Sequence, residues 1–140
     1  MKKISLLLVE DNEGDIVLIT EVLEDRNYFD EINIVRDGEE ALEFLKNSIL
    51  MDNLLNIVIL DINLPKVNGH EVLKFIKSRE ELKHIPVVIH TTSSSPSDIN
   101  SGYRNYANAY VTKRVDVEEF FDTIQQIEDF WIKTCKLSSV

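Results

Sequence analysis

Asn56-Ile57-Val58-Ile59-Leu60-Asp61 is the stretch whose reading decides the fold. Ile57 to Leu60 is a continuous β-branched and leucine run without polar alternation, the pattern of a strand buried on both faces. The run stops at Asp61, and Ile62-Asn63-Leu64-Pro65 continues as a loop toward Asn68-Gly69. Open α/β sheets place their ligands at the carboxyl ends of their strands, which is where Asp61 stands. The competing reading is that Asp61 only starts a turn or caps the next helix, and the remainder of the chain decides between the two.

Working outward, Ile4 to Val9 reads as a first buried strand ended by Glu10-Asp11-Asn12. A helix is expected from Gly14 or Asp15 to about Asp25, with Ile16, Ile19 and Leu23 on one face. Glu31 to Val35 is a second strand, and Asp37-Gly38 leads into a helix through Lys46, followed by a loop from Asn47 to Leu55. After the central strand, His70 to Glu80 is helical by its Val72, Leu73 and Ile76 spacing. Pro86 to Thr91 is a fourth strand, with proline at the first position, where a missing N–H is tolerated. Ser95 or Ser97 caps a weak helix to about Arg104. Ala109 to Thr112 is a fifth strand ending at Lys113, and Asp116 caps a last helix to about Ile132.

Five β-α repeats call for a parallel sheet covered by helices on both faces, with right-handed crossovers. Within the α/β class this predicts a doubly wound (βα)5 domain with the flavodoxin-like strand order 2-1-3-4-5. A barrel needs roughly 250 residues, and this chain has 140.

The formal net charge of −10 is uneven: residues 1–60 contribute −9 and residues 61–140 contribute −1. An acidic first half argues against direct nucleic-acid binding, which needs a basic footprint, and favours a cation or a basic partner. The single Cys135 cannot close an intramolecular disulfide. The apolar run after Lys2-Lys3 is too short for a signal peptide, and no stretch has the length to span a membrane. A soluble cytoplasmic protein is expected.

In the strand order 2-1-3-4-5, strands 1 and 3 are neighbours, and polar residues end four strands on one edge. They are Glu10-Asp11, Asp61, Thr91 and Lys113. Three carboxylates together repel unless a cation joins them or one keeps its proton. Hard oxygen ligands in this number suit Mg2+, whereas no Cys/His cluster has the spacing for zinc. A carboxylate beside Mg2+ is a candidate nucleophile toward a phosphoryl group, with Lys113 and the Thr91 hydroxyl placed to meet the phosphoryl oxygens.

The segments Val9-Glu10-Asp11, Asp61-Ile62-Asn63-Leu64-Pro65 with Asn68-Gly69, Pro86 to Thr91, and Tyr110-Val111-Thr112-Lys113 together resemble the receiver domain of bacterial two-component response regulators of the single-domain, CheY-like type. The resemblance covers residues 3–132 and leaves 133–140 as a tail. It implies Asp61 as phosphoacceptor, supplied by a sensor histidine kinase or phosphotransfer protein. It implies Mg2+ held by Glu10, Asp11, Asp61 and the backbone carbonyl of Asn63, with Lys113 paired to the phosphoryl group. Thr91 and Tyr110 would form the switch, and the side chains of Asn63 and Ser93 would tune dephosphorylation. Such a domain is a signalling module with no enzymatic activity beyond its own phosphorylation and dephosphorylation.

Where family members usually carry proline after the lysine, Arg114 stands here, which puts the family's cis peptide at that bond in doubt. Asn68 replaces a commoner aspartate, and Tyr106-Ala107-Asn108 replaces a glycine-containing turn. The ending Asp129-Phe130-Trp131-Ile132 is similar to phytochrome-associated response regulators. The face of helix 4, strand 5 and helix 5 is where the family often dimerises, and Phe121, Phe130 and Trp131 exceed what one inward face needs.

His90, inside an apolar strand, reads as a satisfied strand residue rather than a phosphoacceptor. No G-x-S-x-G or Gly-rich phosphate loop is present. Two alternatives remain beside the switch: a Mg2+-dependent phosphohydrolase, disfavoured because Asn63 stands where such enzymes carry a second acid, and a pseudo-receiver that only docks partners. No DNA-binding or enzymatic output domain is expected.

Overall fold

The computed structural model describes residues 3–138, so Lys2 and the last two residues of the expected tail lie outside the described residues. Five strands, β1 (Ser5–Val9), β2 (Glu31–Val35), β3 (Ile57–Leu60), β4 (Val87–Thr91) and β5 (Ala109–Thr112), alternate with five helices. The helices are α1 (Glu13–Arg26), α2 (Gly38–Leu50), α3 (Gly69–Ser78), α4 (Pro96–Arg104) and α5 (Val117–Glu128). All strand pairs are parallel in the order β2-β1-β3-β4-β5. This is the expected α/β fold.

Every residue of β1, β3 and β4 is buried, and successive side chains serve opposite layers. Leu7, Val9, Val58 and Leu60 join the core under α2 and α3, while Leu6, Leu8, Ile57 and Ile59 join the core under α1 and α5. Two covered faces explain why the central run shows no polar alternation.

Each helix begins at a side-chain cap: Asn12, Asp37, Asn68, Ser95 and Asp116 accept from the backbone N–H three residues on. Asn68 thus supplies a cap as an aspartate would. Helix α2 runs four residues past the expected end at Lys46, to Leu50, because Ser48 is buried and Ile49 packs on the core. The polar pair Asp52-Asn53, part of the loop expected from Asn47, lies beyond the end of the helix.

The last helix does not continue as one α-helix to Ile132. It passes at Glu128 into a π-helical turn, Asp129–Thr134. Phe121 and Trp131 are half-buried against the α1–α5 core, whereas Phe130 stays 52% exposed. Tyr106 takes the left-handed conformation (φ 69°) where a glycine would be unstrained. Every peptide bond among the described residues is trans, that between Lys113 and Arg114 included. Also among these residues, no helix is long and apolar enough to cross a membrane.

Candidate functional site

The parallel register fixes which strand ends meet. Val9 pairs with Leu60, and the Asp61 N–H donates to the Val9 carbonyl at 3.0 Å, one step beyond the ladder. On the other side the Lys113 N–H donates to the Thr91 carbonyl at 2.7 Å, just past the Thr91–Thr112 pair. Glu10, Asp61, Thr91 and Lys113 are therefore brought to one edge by backbone pairing alone. The acidic ligand atoms of Glu10, Asp11 and Asp61 lie within 4.8 Å of one another.

The loop after Asp61 is pressed against the start of α3, where a Cβ on Gly69 would lie 2.4 Å from the Asp61 carbonyl oxygen and from Ile62 Cα. Only glycine permits that approach, and the Gly69 N–H donates to the Ile62 carbonyl at 2.9 Å. Helix α3 thus buttresses the strand end that carries the aspartate.

Lys113 sits at the centre of the charge arrangement. Its Nζ lies 2.8 Å from Asp61 Oδ2, 2.7 Å from Glu10 Oε1 and 2.9 Å from Asp15 Oδ2. Burial alone would lower its pKa, but the hydrogen bonds it donates to Asp15, Asp61 and Glu10 outweigh that and hold it above the ordinary lysine value. Glu10 is 1% exposed, and burial raises its pKa; the Lys113 hydrogen bond offsets this in part, while Asp61 adds to the rise. Three acids around one ammonium retain excess negative charge, which suits a hard divalent cation.

Asn63 and Thr91 meet across the same edge: Asn63 Nδ2 donates to Thr91 Oγ1 at 3.3 Å, and the Asn63 N–H donates to Asp61 Oδ1 at 3.0 Å. The Tyr110 hydroxyl donates to the Ser93 carbonyl at 2.9 Å, and its ring packs against the α2–α3 core. Burial, first among its influences, raises the Tyr110 pKa. Ser93 Oγ donates to Asp98 Oδ2 at 2.6 Å. The site residues expected from the sequence fall at one sheet edge or in the loops beside it, except Tyr110, which lies within β5 and reaches Ser93 through its hydroxyl.

Asp15 was missed as a partner of Lys113. Asp11 lies before the cap of α1, so no helical spacing links the two acids, and the sequence shows Asp15 only as a helix start. The His70–Asp98–Ser93 contacts had no sequence signature, because three separate segments supply them. His90 lies within buried strand β4 as expected, but it is not satisfied. It is 1% exposed, and neither ring nitrogen has a hydrogen-bond partner. Its ring meets that of Phe120 edge-on at 5.3 Å, and burial, then the Lys113 charge, lowers its pKa to about 4.

Residues 6–125 match the family model described as the response regulator receiver domain. Over 134 residues the chain is 41% identical to response regulator Rcp1 of Synechocystis sp., covering 94% of this chain and 91% of that protein. It is 40% identical over 128 residues to the probable methanogenesis regulatory protein FilR2 of Methanothrix harundinacea, covering 91% and 83% of the two. Among solved structures, the phosphorylated cyanobacterial phytochrome response regulator RcpA superposes with a TM-score of 0.92 at 40% identity, covering 98% of this chain and 99% of that one. The Mn2+-bound form of Rcp1 gives 0.90 at 39% identity, with 99% of both chains covered. With the fold, the acidic edge and these matches in agreement, the chain belongs to the CheY-like response regulator receiver domains of two-component phosphorelay signalling, and phytochrome-associated regulators stand among its relatives.

Proposed function

We propose that the protein is a phosphorylation-operated switch in which Asp61 accepts a phosphoryl group from a histidine kinase or phosphotransfer protein. The observation that carries this reading is the contact of Lys113 Nζ with Asp61 Oδ2 at 2.8 Å, with the acids Glu10, Asp11 and Asp15 beside it. An Asp61 oxygen forms a bond to phosphorus while the P–N bond of the donor phosphohistidine breaks, its electron pair returning to the imidazole.

Glu10, Asp11, Asp61 and the Asn63 carbonyl would hold Mg2+, which supplies charge neutralisation for the phosphoryl oxygens when bound. The donor set fits, being all hard oxygen. The bound Mn2+ of the similar Rcp1 structure and the phosphorylation of RcpA support the assignment by analogy. Lys113 keeps a second positive charge on the phosphoryl group, and Thr91 Oγ1 offers a hydroxyl donor. Thr91 leaving Asn63 for the phosphoryl oxygens would favour the arrangement in which the Tyr110 ring is turned inward and its hydroxyl is held by the Ser93 carbonyl, shifting a two-state equilibrium. Asn63 and Ser93 would set the lifetime of the phosphate by governing water access.

The output surface in this reading is the face of α4, β5 and α5, where Tyr103 and Tyr106 are exposed. It serves a partner protein or a second copy of the chain. The protein works in the cytoplasm, where kinase domains are, without direct nucleic-acid contact. Incubation with Mg2+ and acetyl phosphate tests the proposal by intact mass. A slowly decaying single adduct, missing in Asp61→Asn, is expected. Sustained turnover would mean a phosphohydrolase, and no adduct would mean a docking-only pseudo-receiver. Equilibrium sedimentation with and without beryllofluoride tests the dimer; a monomer at high concentration in both states refutes it.

A further inference from the structure

Helix α4 begins Ser95-Pro96-Ser97-Asp98, with the serine-to-acid spacing of a capping box, in which the acid at the third helical position returns to the N-cap N–H. Asp98 does otherwise. The Ser95 N–H donates to Ser93 Oγ at 3.4 Å, while the two oxygens of Asp98 are occupied elsewhere. Oδ2 accepts from Ser93 Oγ at 2.6 Å, and Oδ1 lies 3.1 Å from His70 Nε2.

Hydrogen bonds from Ser93 first, then His70 and Ser95, lower the Asp98 pKa, so it is the ionised acceptor. An ionised acceptor requires His70 Nε2 to carry the proton, and the buried Nδ1, which has no partner, is then left as a lone pair rather than a stranded donor.

Three segments are joined by this one carboxylate. His70 follows Gly69, whose backbone abuts the Asp61 carbonyl. Ser93 lies two residues after Thr91, and its N–H reaches Thr91 Oγ1 at 3.5 Å. The Ser93 carbonyl is also the acceptor that holds the Tyr110 hydroxyl at 2.9 Å. With its hydroxyl drawn to Asp98, Ser93 presents its carbonyl to Tyr110.

We propose that Asp98, braced by His70, is a positioning residue for the switch: it fixes the β4–α4 loop so that Ser93 retains the Tyr110 hydroxyl, and so strengthens binding of a phosphoryl group at the acceptor site. The inference rests on the reading of Asp61 as phosphoacceptor. Asp98 touches neither Asp61 nor Lys113; its hydrogen-bonded link to the switch runs through Ser93, and its charge also bears on the Tyr110 hydroxyl.

Beryllofluoride with Mg2+ is the probe, titrated by calorimetry into the wild type and variants whose thermal midpoints are recorded alongside, with tyrosine ring resonances followed by NMR. Asp98→Ala is expected to weaken beryllofluoride binding about fivefold, at the low end of typical couplings between sites, and to shift the Tyr110 ring signals in the free protein. Asp98→Asn keeps an acceptor for Ser93 Oγ, the link through which Asp98 acts, so it should stay within about twofold of the wild type. Ser93→Ala should resemble Asp98→Ala, and the double variant should be no weaker than either single one, since both remove the same link. Unchanged affinity and unchanged Tyr110 signals in Asp98→Ala would overturn the inference, as would equal losses in Asp98→Ala and Asp98→Asn. If Asp98→Ala does not fold, Ser93→Ala decides in its place by the same readouts. Failure of the wild type itself to bind beryllofluoride would instead overturn the phosphoacceptor reading.

Discussion

Glu10 and Glu128 are each 1% exposed, and burial drives the pKa of both carboxyls upward. Their surroundings differ. Glu10 ends β1 with Lys113 Nζ at 2.7 Å and shares that ammonium with Asp61 and Asp15. Glu128 ends α5 with Arg26 Nε no nearer than 3.8 Å, and neither of its oxygens accepts a hydrogen bond. Arg26 instead pairs with Asp129 at the start of the π-helical turn. One buried acid belongs to a carboxylate cluster that shares an ammonium and could hold a metal ion. The other is a burial cost in the α1–α5 layer that Arg26 offsets only in part. Burial and a raised pKa alone do not mark a site; convergent partners do.

Removing the central ammonium is the most severe way to break this contrast. Lys113→Ala leaves three acids facing one another, and a loss of about 3–5 kcal/mol in urea unfolding is expected, as for breaking a buried ion pair. Millimolar Mg2+ should restore part of it, whereas NaCl at the same ionic strength should not. Equal recovery in both salts would reduce the cluster to a screened acidic surface.

Glu128→Met should act in the opposite direction, raising stability by about 1–2 kcal/mol, because it replaces an unbonded buried carboxyl with an apolar chain of similar volume. Thermal unfolding at pH 7 checks the sign; destabilisation would mean that the Arg26 pairing outweighs the burial cost.

The pH profile sharpens the comparison further. The Glu128 pKa is raised to about 7, by burial first and then by Asp129 and Asp25 against the pull of Arg26. Its folded form therefore keeps a proton that the unfolded form releases, and its contribution to stability is lost as pH rises from the usual glutamate value to about 7. His90, lowered to about 4, has the opposite sign: the unfolded chain gains a proton first, so stability is lost as pH falls from the usual histidine value toward 4. Relative to the wild type, Glu128→Met should gain stability as pH rises through this window, and His90→Leu should gain it as pH falls. Parallel curves for wild type and variant would refute the assignment of either group. The smallest effect concerns backbone alone: Tyr106→Gly relieves a left-handed turn and should stabilise by about 0.5–1 kcal/mol in the same unfolding assay.

The sheet was legible because its central strands are fully buried runs, and alternating helices left one economical topology. Strand ends then located Glu10, Asp61, Thr91 and Lys113, since parallel register carries each chain to the same edge. The π-helical turn after Glu128 was not legible: Trp131 continues the helical spacing of Phe120, Ile124 and Ile127, and only packing shows where the hydrogen-bond pattern slips. His90 misled because a polar residue in an apolar strand is normally satisfied, and its lack of partners depends on what Phe120 and Lys113 bring across from other segments. Asp98 was hidden by a spacing that signals a helix cap.

The most direct test of the central claim is to locate the modified residue. Protein treated with acetyl phosphate and Mg2+ is reduced with borohydride, which converts an acyl phosphate of aspartate to homoserine, and its peptides are sequenced by mass spectrometry. The account predicts homoserine at position 61 alone, abolished by chelator. Homoserine at Asp11 or Asp15, or an unmodified Asp61 beside a labelled histidine or serine, would contradict it.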